Sequence, residues 1–182
     1  MIKKILIAII LVALVLIVGV AIAAYVSPTD FKVERSVAIN KSKADVFNYV
    51  KYLKNQNDWG PWYKKDPNMA LGSRGTDGTV GYVATWDSKN DDVGAGEQEI
   101  KKITEGDRLD TELRFSRPFE SKSDAYMITE AVGENQTNVR WGFSGSMPRP
   151  LNLMLVTMDM DKAVGKDFED GLNNLKTILE KP

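Results

Sequence analysis

The chain opens on an uninterrupted uncharged run from Ile5 to Val26 and afterwards never holds more than a few apolar residues in succession. At about 1.5 Å rise per residue, a helix of this length reaches across the approximately 30 Å hydrocarbon layer of a bilayer. An element with no polar face needs a bilayer or a large core, and the rest of the chain is too small and too polar to supply the core. Lys3 and Lys4 ahead of the run, and the small-x-small spacing of Ala21, Ile22 and Ala23, also fit a cleaved secretory signal, although the run exceeds a signal's usual apolar stretch. The pattern predicts a transmembrane anchor over residues 1–26, with a cleaved signal as the alternative.

Beyond the anchor the pattern changes to alternation. Phe31, Val33, Arg35 and Val37 share one side of a strand over 31–38. Asn40 and Ser42 compete as the cap of a helix, with Asp45 three residues after Ser42, and Val46, Phe47, Val50 and Leu53 recur at helical spacing. That helix is expected to end before Gly60 and Pro61. Strands follow over 80–87, 96–103, 109–115, 125–131 and 137–144. They place Tyr82, Ala84 and Trp86 on one face, then Leu109, Thr111, Leu113 and Phe115, then Tyr126 and Ile128, then Val139, Trp141 and Phe143. Such half-polar alternation belongs to an antiparallel sheet with one covered face. Pro150 suits a first helical turn, and a helix is expected from Leu151 to Glu180 with Met154, Met158, Phe168, Leu172, Leu175 and Leu179 near one stripe. The pattern therefore predicts an α+β domain, a curved antiparallel sheet gripping a long C-terminal helix.

Composition narrows the chemistry. Without Lys3 and Lys4 there are 22 basic and 25 acidic residues, with no basic stripe, so no nucleic-acid partner is expected. Ser27 to Asp30 is the only linker, so residues 31–182 form one domain expected to sit close to the bilayer. The N-terminal lysines favour a cytoplasmic start, and Lys32 and Arg35 count on the other side. The expectation is a single-pass plasma-membrane protein with an extracytoplasmic domain. With no His and no Cys, Ser-His-Asp and Cys-His catalysis, disulfides and His- or thiolate-held metals are impossible. The acidic loop over 87–92 fails as a calcium loop, having Lys89 at its third place and Asp92 where Gly is required at the sixth. The glycines over 72–81 lack a phosphate-binding lysine pattern and read as turns. No cofactor or metal is expected.

The segments FKVERSVAI at 31–39, ADVFNYV at 44–50, DWGPW at 58–62, GTVGYVATW at 78–86, VRWGFSG at 139–145 and GKDFEDGLNNLK at 165–176 stand in a suggestive order. In that order they make residues 31–180 resemble the START-like, or SRPBCC, superfamily and its polyketide cyclase and dehydrase-like group. The resemblance implies a helix-grip (START/Bet v 1-like) fold whose sheet and long helix enclose a cavity for lipids, polyketides or other apolar molecules. Carried onto this chain, it implies that Tyr82, Trp86, Leu113, Phe115, Tyr126, Trp141, Phe143, Phe168 and Leu172 include cavity-lining residues. A plain hydrophobic core would contain the same residues.

Two further groups stand out. Trp59, Trp62 and Tyr63 around Gly60–Pro61 fit a lid, a contact with the membrane headgroup region, or a cap that folds back on the core. Acid–base work falls to carboxylates, Tyr, Lys or Arg, with Glu97 and Glu99 as candidates and Arg140 as their partner should their strand turn that face inward. A charge on every second residue otherwise marks a solvent face. The leading expectation is a membrane-tethered binding or carrier domain for a hydrophobic small molecule. A cyclase-like enzyme and a protein-interaction module with a filled core are the alternatives, and the sequence names no protein partner.

Overall fold

The computed structural model describes residues 2–181. The apolar run lies in one helix, α1 (Ile2–Val26), long and apolar enough to cross a membrane, as an anchor or a signal sequence would be. The elements that follow are β1 (Asp30–Ile39), α2 (Lys43–Val50), the short helices α3 (Gln56–Trp59) and α4 (Pro61–Lys65), β2 (Ala70–Arg74), β3 (Val83–Asp87), β4 (Ala95–Thr104), β5 (Arg108–Arg117), β6 (Ser121–Gly133), β7 (Gln136–Ser146), α5 (Met154–Thr157) and α6 (Met160–Leu179). They group into two compact units, one running to Phe31 and including Ser146–Asp159, the other Lys32–Gly145 with Met160 onward.

In the larger unit the strands form a seven-stranded antiparallel sheet in the order β1-β7-β6-β5-β4-β3-β2. Register shifts between Ala95 and Gly96, Ile100 and Lys102, and Ala131 and Gly133 insert the local bends that curve it. Ser42 wins the capping contest for α2, accepting the Asp45 backbone N–H at 3.2 Å while its hydroxyl donates to the Asp45 carboxylate. One face of the sheet carries Ile100, Leu109, Met127, Val139 and Trp141 into a core with Val46, Val50, Trp59, Phe168, Leu172 and Leu175. The helix-grip fold is thus present, with α6 in the grip of the curved sheet.

Three elements differ from the sequence expectation. The C-terminal helix does not run from Leu151. A 3-10 turn (Leu151–Leu153) leads to α5, Met158 is extended at φ −104 and ψ 116, and the continuous helix starts at Met160. The stripe explains the break: Met154 and Met158 are exposed, whereas the buried stripe begins only with Gly165, Phe168, Gly171, Leu172 and Leu175. Ala70–Arg74, read in part as a glycine turn, is the edge strand β2; it is exposed at every position and so carries no alternation to read. The strand expected from Val80 begins at Val83, after Gly81 turns the chain at φ 89.

Candidate ligand-binding site

Cross-strand register sorts the inner face into rows. Trp86, Gly96, Phe115 and Ser121 form one row; Ala84, Gln98, Leu113, Ser123 and Gly145 the next; Ile100, Thr111, Ala125 and Phe143 a third; Leu109, Met127 and Trp141 a fourth. Burial runs along these rows. Ile100, Leu109, Met127 and Val139 are 0 to 3% exposed, whereas Trp86, Leu113, Phe115 and Phe143 are only half-buried. The inner face is therefore closed at one end and open at the other.

The closed end is aromatic and tightly packed. Trp141 stacks on Phe168 with centroids 4.0 Å apart and planes 1° from parallel, and Trp59 meets Trp141 edge-on at 4.9 Å. Gly171 on α6 makes this approach possible, since a Cβ there would lie 2.8 Å from the Trp141 ring. Trp62 adds edge contacts to both Trp141 and Phe168. Trp59 is fully buried, Trp62 is half-buried against the core, and Tyr63 is enclosed enough for burial, with Tyr82 beside it, to push its hydroxyl up to about 12. In the structure Trp59 and Trp62 pack back onto the core. Tyr82 is 1% exposed, and its hydroxyl and the Trp59 Nε1 find no hydrogen-bond partner among the described residues.

The open end is mixed in character. Trp86 lies over Gly96 and meets Phe115 edge-on at 5.7 Å, and its Nε1 donates to the Val93 carbonyl at 3.3 Å. Deeper in, Gln98 Nε2 donates to Thr111 Oγ1 at 3.0 Å, a polar pair on the inner face. A solvent-open groove of about 650 Å³ is lined by Trp86, Gly96 and Phe115 of this end and also by Glu97, Arg114 and Lys122 of the outer face.

The outer face holds the remaining candidates. Tyr126 shares a strand with inner-face Ala125 and Met127 but points the other way. Its ring covers Gly142, the Arg108 guanidinium lies 4.5 Å above it, and its hydroxyl donates to Glu34. Register alternates strictly, so Tyr126 cannot share a face with Trp141. Glu97 and Glu99 are also on this face, and their cation is Arg114 rather than Arg140. Arg114 Nε donates to Glu97 at 2.6 Å, its Nη1 donates to Glu99 at 2.8 Å, and Glu112 is a third partner. Arg74 and Arg114 hold the Glu97 carboxyl below the usual carboxylate range, Arg114 and Lys101 do the same for Glu99, and Arg114 for Glu112. All three remain ionised near neutrality, a poor state for a general acid. Arg140 instead donates to Glu130 at 2.7 Å and lies 3.9 Å from Glu34. Arg114 was visible in the sequence only as one charge of an alternating strand; cross-strand pairing makes it a hub.

Residues 30–180 match the family described as Polyketide cyclase / dehydrase and lipid transport. The chain belongs to this family. Solved structures share its fold at low identity. Ginseng major latex-like protein 151 from Panax ginseng aligns at TM-score 0.60 with 14% identity, over 85% of this chain and 100% of that one. A protein from Mesorhizobium loti aligns at TM-score 0.59 with 12% identity over 82% and 97%, and the Aha1 dimer from Colwellia psychrerythraea at 0.56 with 16% identity over 82% and 96%. No curated protein matches the chain in sequence. Family membership supports a hydrophobic ligand-binding domain.

Proposed function

We propose that this protein is a membrane-tethered binding or carrier domain for a lipid or polyketide-like molecule, held against the open end of the inner face by Trp86, Leu113, Phe115 and Phe143. The observation that carries the reading is the burial gradient: apolar rings of the same face are sealed at one end and left half-exposed at the other. Half-exposed rings lining a concave face are a usual form of a small-molecule site. Trp141, Phe168 and Leu172 belong on this reading to the packed floor beneath the ligand. Glu97 and Glu99 do no acid–base work, since they face outward in ion pairs. Residues 1–26 serve as anchor, 27–30 as linker and 31–182 as the binding domain, placed outside the cytoplasm by the lysines that precede the span.

The test is saturable uptake of an environment-sensitive apolar dye or fluorescent fatty acid by the full chain in detergent. Leu113→Asp, which sets a charge on the half-buried face, is expected to lose uptake, while Tyr126→Phe on the outer face retains it. Equal uptake by both variants and the parent would remove the inner face as the site.

A further inference from the structure

The smaller unit contains a feature the binding role does not use. The last turn of a helix leaves carbonyls without intrahelical partners. In α1 these are met by the segment after β7. Arg149 Nε donates to the Ala24 carbonyl at 3.0 Å and its Nη2 to the Tyr25 carbonyl at 3.2 Å, with the guanidinium 5.4 Å from the Tyr25 ring centroid. Asn152, fully buried, donates through Nδ2 to the carbonyls of Ala24 at 2.8 Å, Ser27 at 3.2 Å and Pro28 at 3.3 Å. The Met147 backbone N–H adds a bond to the Thr29 carbonyl at 2.8 Å. Residues 147–152 thus form a side-chain cap on the C-terminal end of the apolar helix.

Fixed to that cap is a short apolar surface. Leu151 is 57%, Val156 64% and Met158 43% exposed, and none of them joins the domain core. Such side chains are costly in water, and Leu151 lies within the cap of a helix whose large apolar side chains are exposed.

We propose that residues 147–158 are a membrane-interface foot: Leu151, Val156 and Met158 insert at the level of the lipid headgroups and upper acyl chains where α1 leaves the bilayer. The inference rests on the reading of α1 as an anchor. The occupant is lipid because Leu151 stands between the two capping residues bonded to the end of α1, a helix long and apolar enough to cross a membrane. Tyr25 and Arg149 lie at that same end, and an amphipathic ring and a cation are the groups that interfacial anchoring uses. A short segment buried to this depth adds apolar area to the hold of a single span and fixes the angle at which the chain departs.

The chain has no cysteine, so a single introduced one carries a unique label. Val15→Cys, Leu151→Cys, Val156→Cys and Val132→Cys are made in the full chain, labelled with an environment-sensitive fluorophore and reconstituted in phosphatidylcholine and phosphatidylglycerol vesicles. Lipids bearing a spin label high or low on the acyl chain then act as quenchers. The proposal expects Leu151 and Val156 to be blue-shifted and quenched by the shallow label, Val15 by the deep one, and Val132 to keep a water-exposed spectrum. If Val15 is quenched while Leu151 and Val156 are not, the anchor stands and the foot is overturned. If Val15 is not quenched, the anchor reading fails and the foot with it. A blue shift at Val156 without lipid quenching overturns the proposal in favour of a protein contact, and quenching at Val132 equal to that at Val156 overturns it as partitioning of the label.

Discussion

At the scale of single residues, the outer face is governed by charges that serve each other. Arg114 pairs with three carboxylates at once, and its loss removes the one cation they share while Glu97, Glu99 and Glu112 stay close on adjacent strands. Because these side chains are near solvent, Arg114→Met is expected to cost only about 1 kcal/mol at neutral pH, read as a lowered chemical-denaturation midpoint. The pH dependence follows from the lowered carboxyl pKa values. A carboxylate held below its unfolded value stabilises the fold above about pH 4.3 and loses that contribution as pH falls through the folded value. The gap between parent and Arg114→Met should therefore close in acid, and a gap that widened would contradict the ion-pair account. Tyr82 gives a prediction of opposite sign. Tyr82→Phe removes a buried hydroxyl that has no partner among the described residues, so the ligand-free protein should gain about 1 kcal/mol. A loss of stability in the ligand-free form would mean that the hydroxyl is already satisfied.

At the scale of elements, glycines set how closely strands and helices approach. A Cβ at Gly142 would lie 2.1 Å from the Tyr126 ring, so Gly142→Ala should cost about 1–3 kcal/mol as an overpacking, and Tyr126→Ala in the same chain should recover part of it; strict additivity in thermal melts would contradict the contact. The same pair shows what a single sequence can and cannot disclose. Alternation placed Tyr126 correctly with Ile128, but nothing in one strand says which of its faces is covered; that follows from pairing with β7, where Gly142 lies opposite. The strands with strong alternation, around Leu109–Phe115 and Val139–Phe143, were legible because one side is buried and the other charged. Edge strand β2 was not, because both sides are exposed. The C-terminal helix was legible from Met160 onward, where burial imposes a stripe, and misread before it, where Asn152 is drawn into capping another helix. Within the candidate site, residue types were legible and their division into floor, open end and outer face was not, since that division depends on register.

At the scale of the whole molecule, two simple needs account for the architecture. The apolar helix α1 must escape water, and the sheet must cover one face; α6, Trp59 and Trp141 cover the closed end and leave the open end partly bare. Family membership supports a hydrophobic ligand-binding domain, and the burial gradient suggests where in this chain such a ligand would lie. Because the cap at residues 147–152 bonds to the end of α1, the intact chain is the right object to measure. The most direct measurement is native mass spectrometry of the full chain released from detergent, beside Leu113→Asp, with any small molecule identified after denaturation. The account predicts a discrete apolar species at one per chain that Leu113→Asp lacks; a parent chain that stays bare against a broad lipid panel, or adducts identical in both chains, would contradict it.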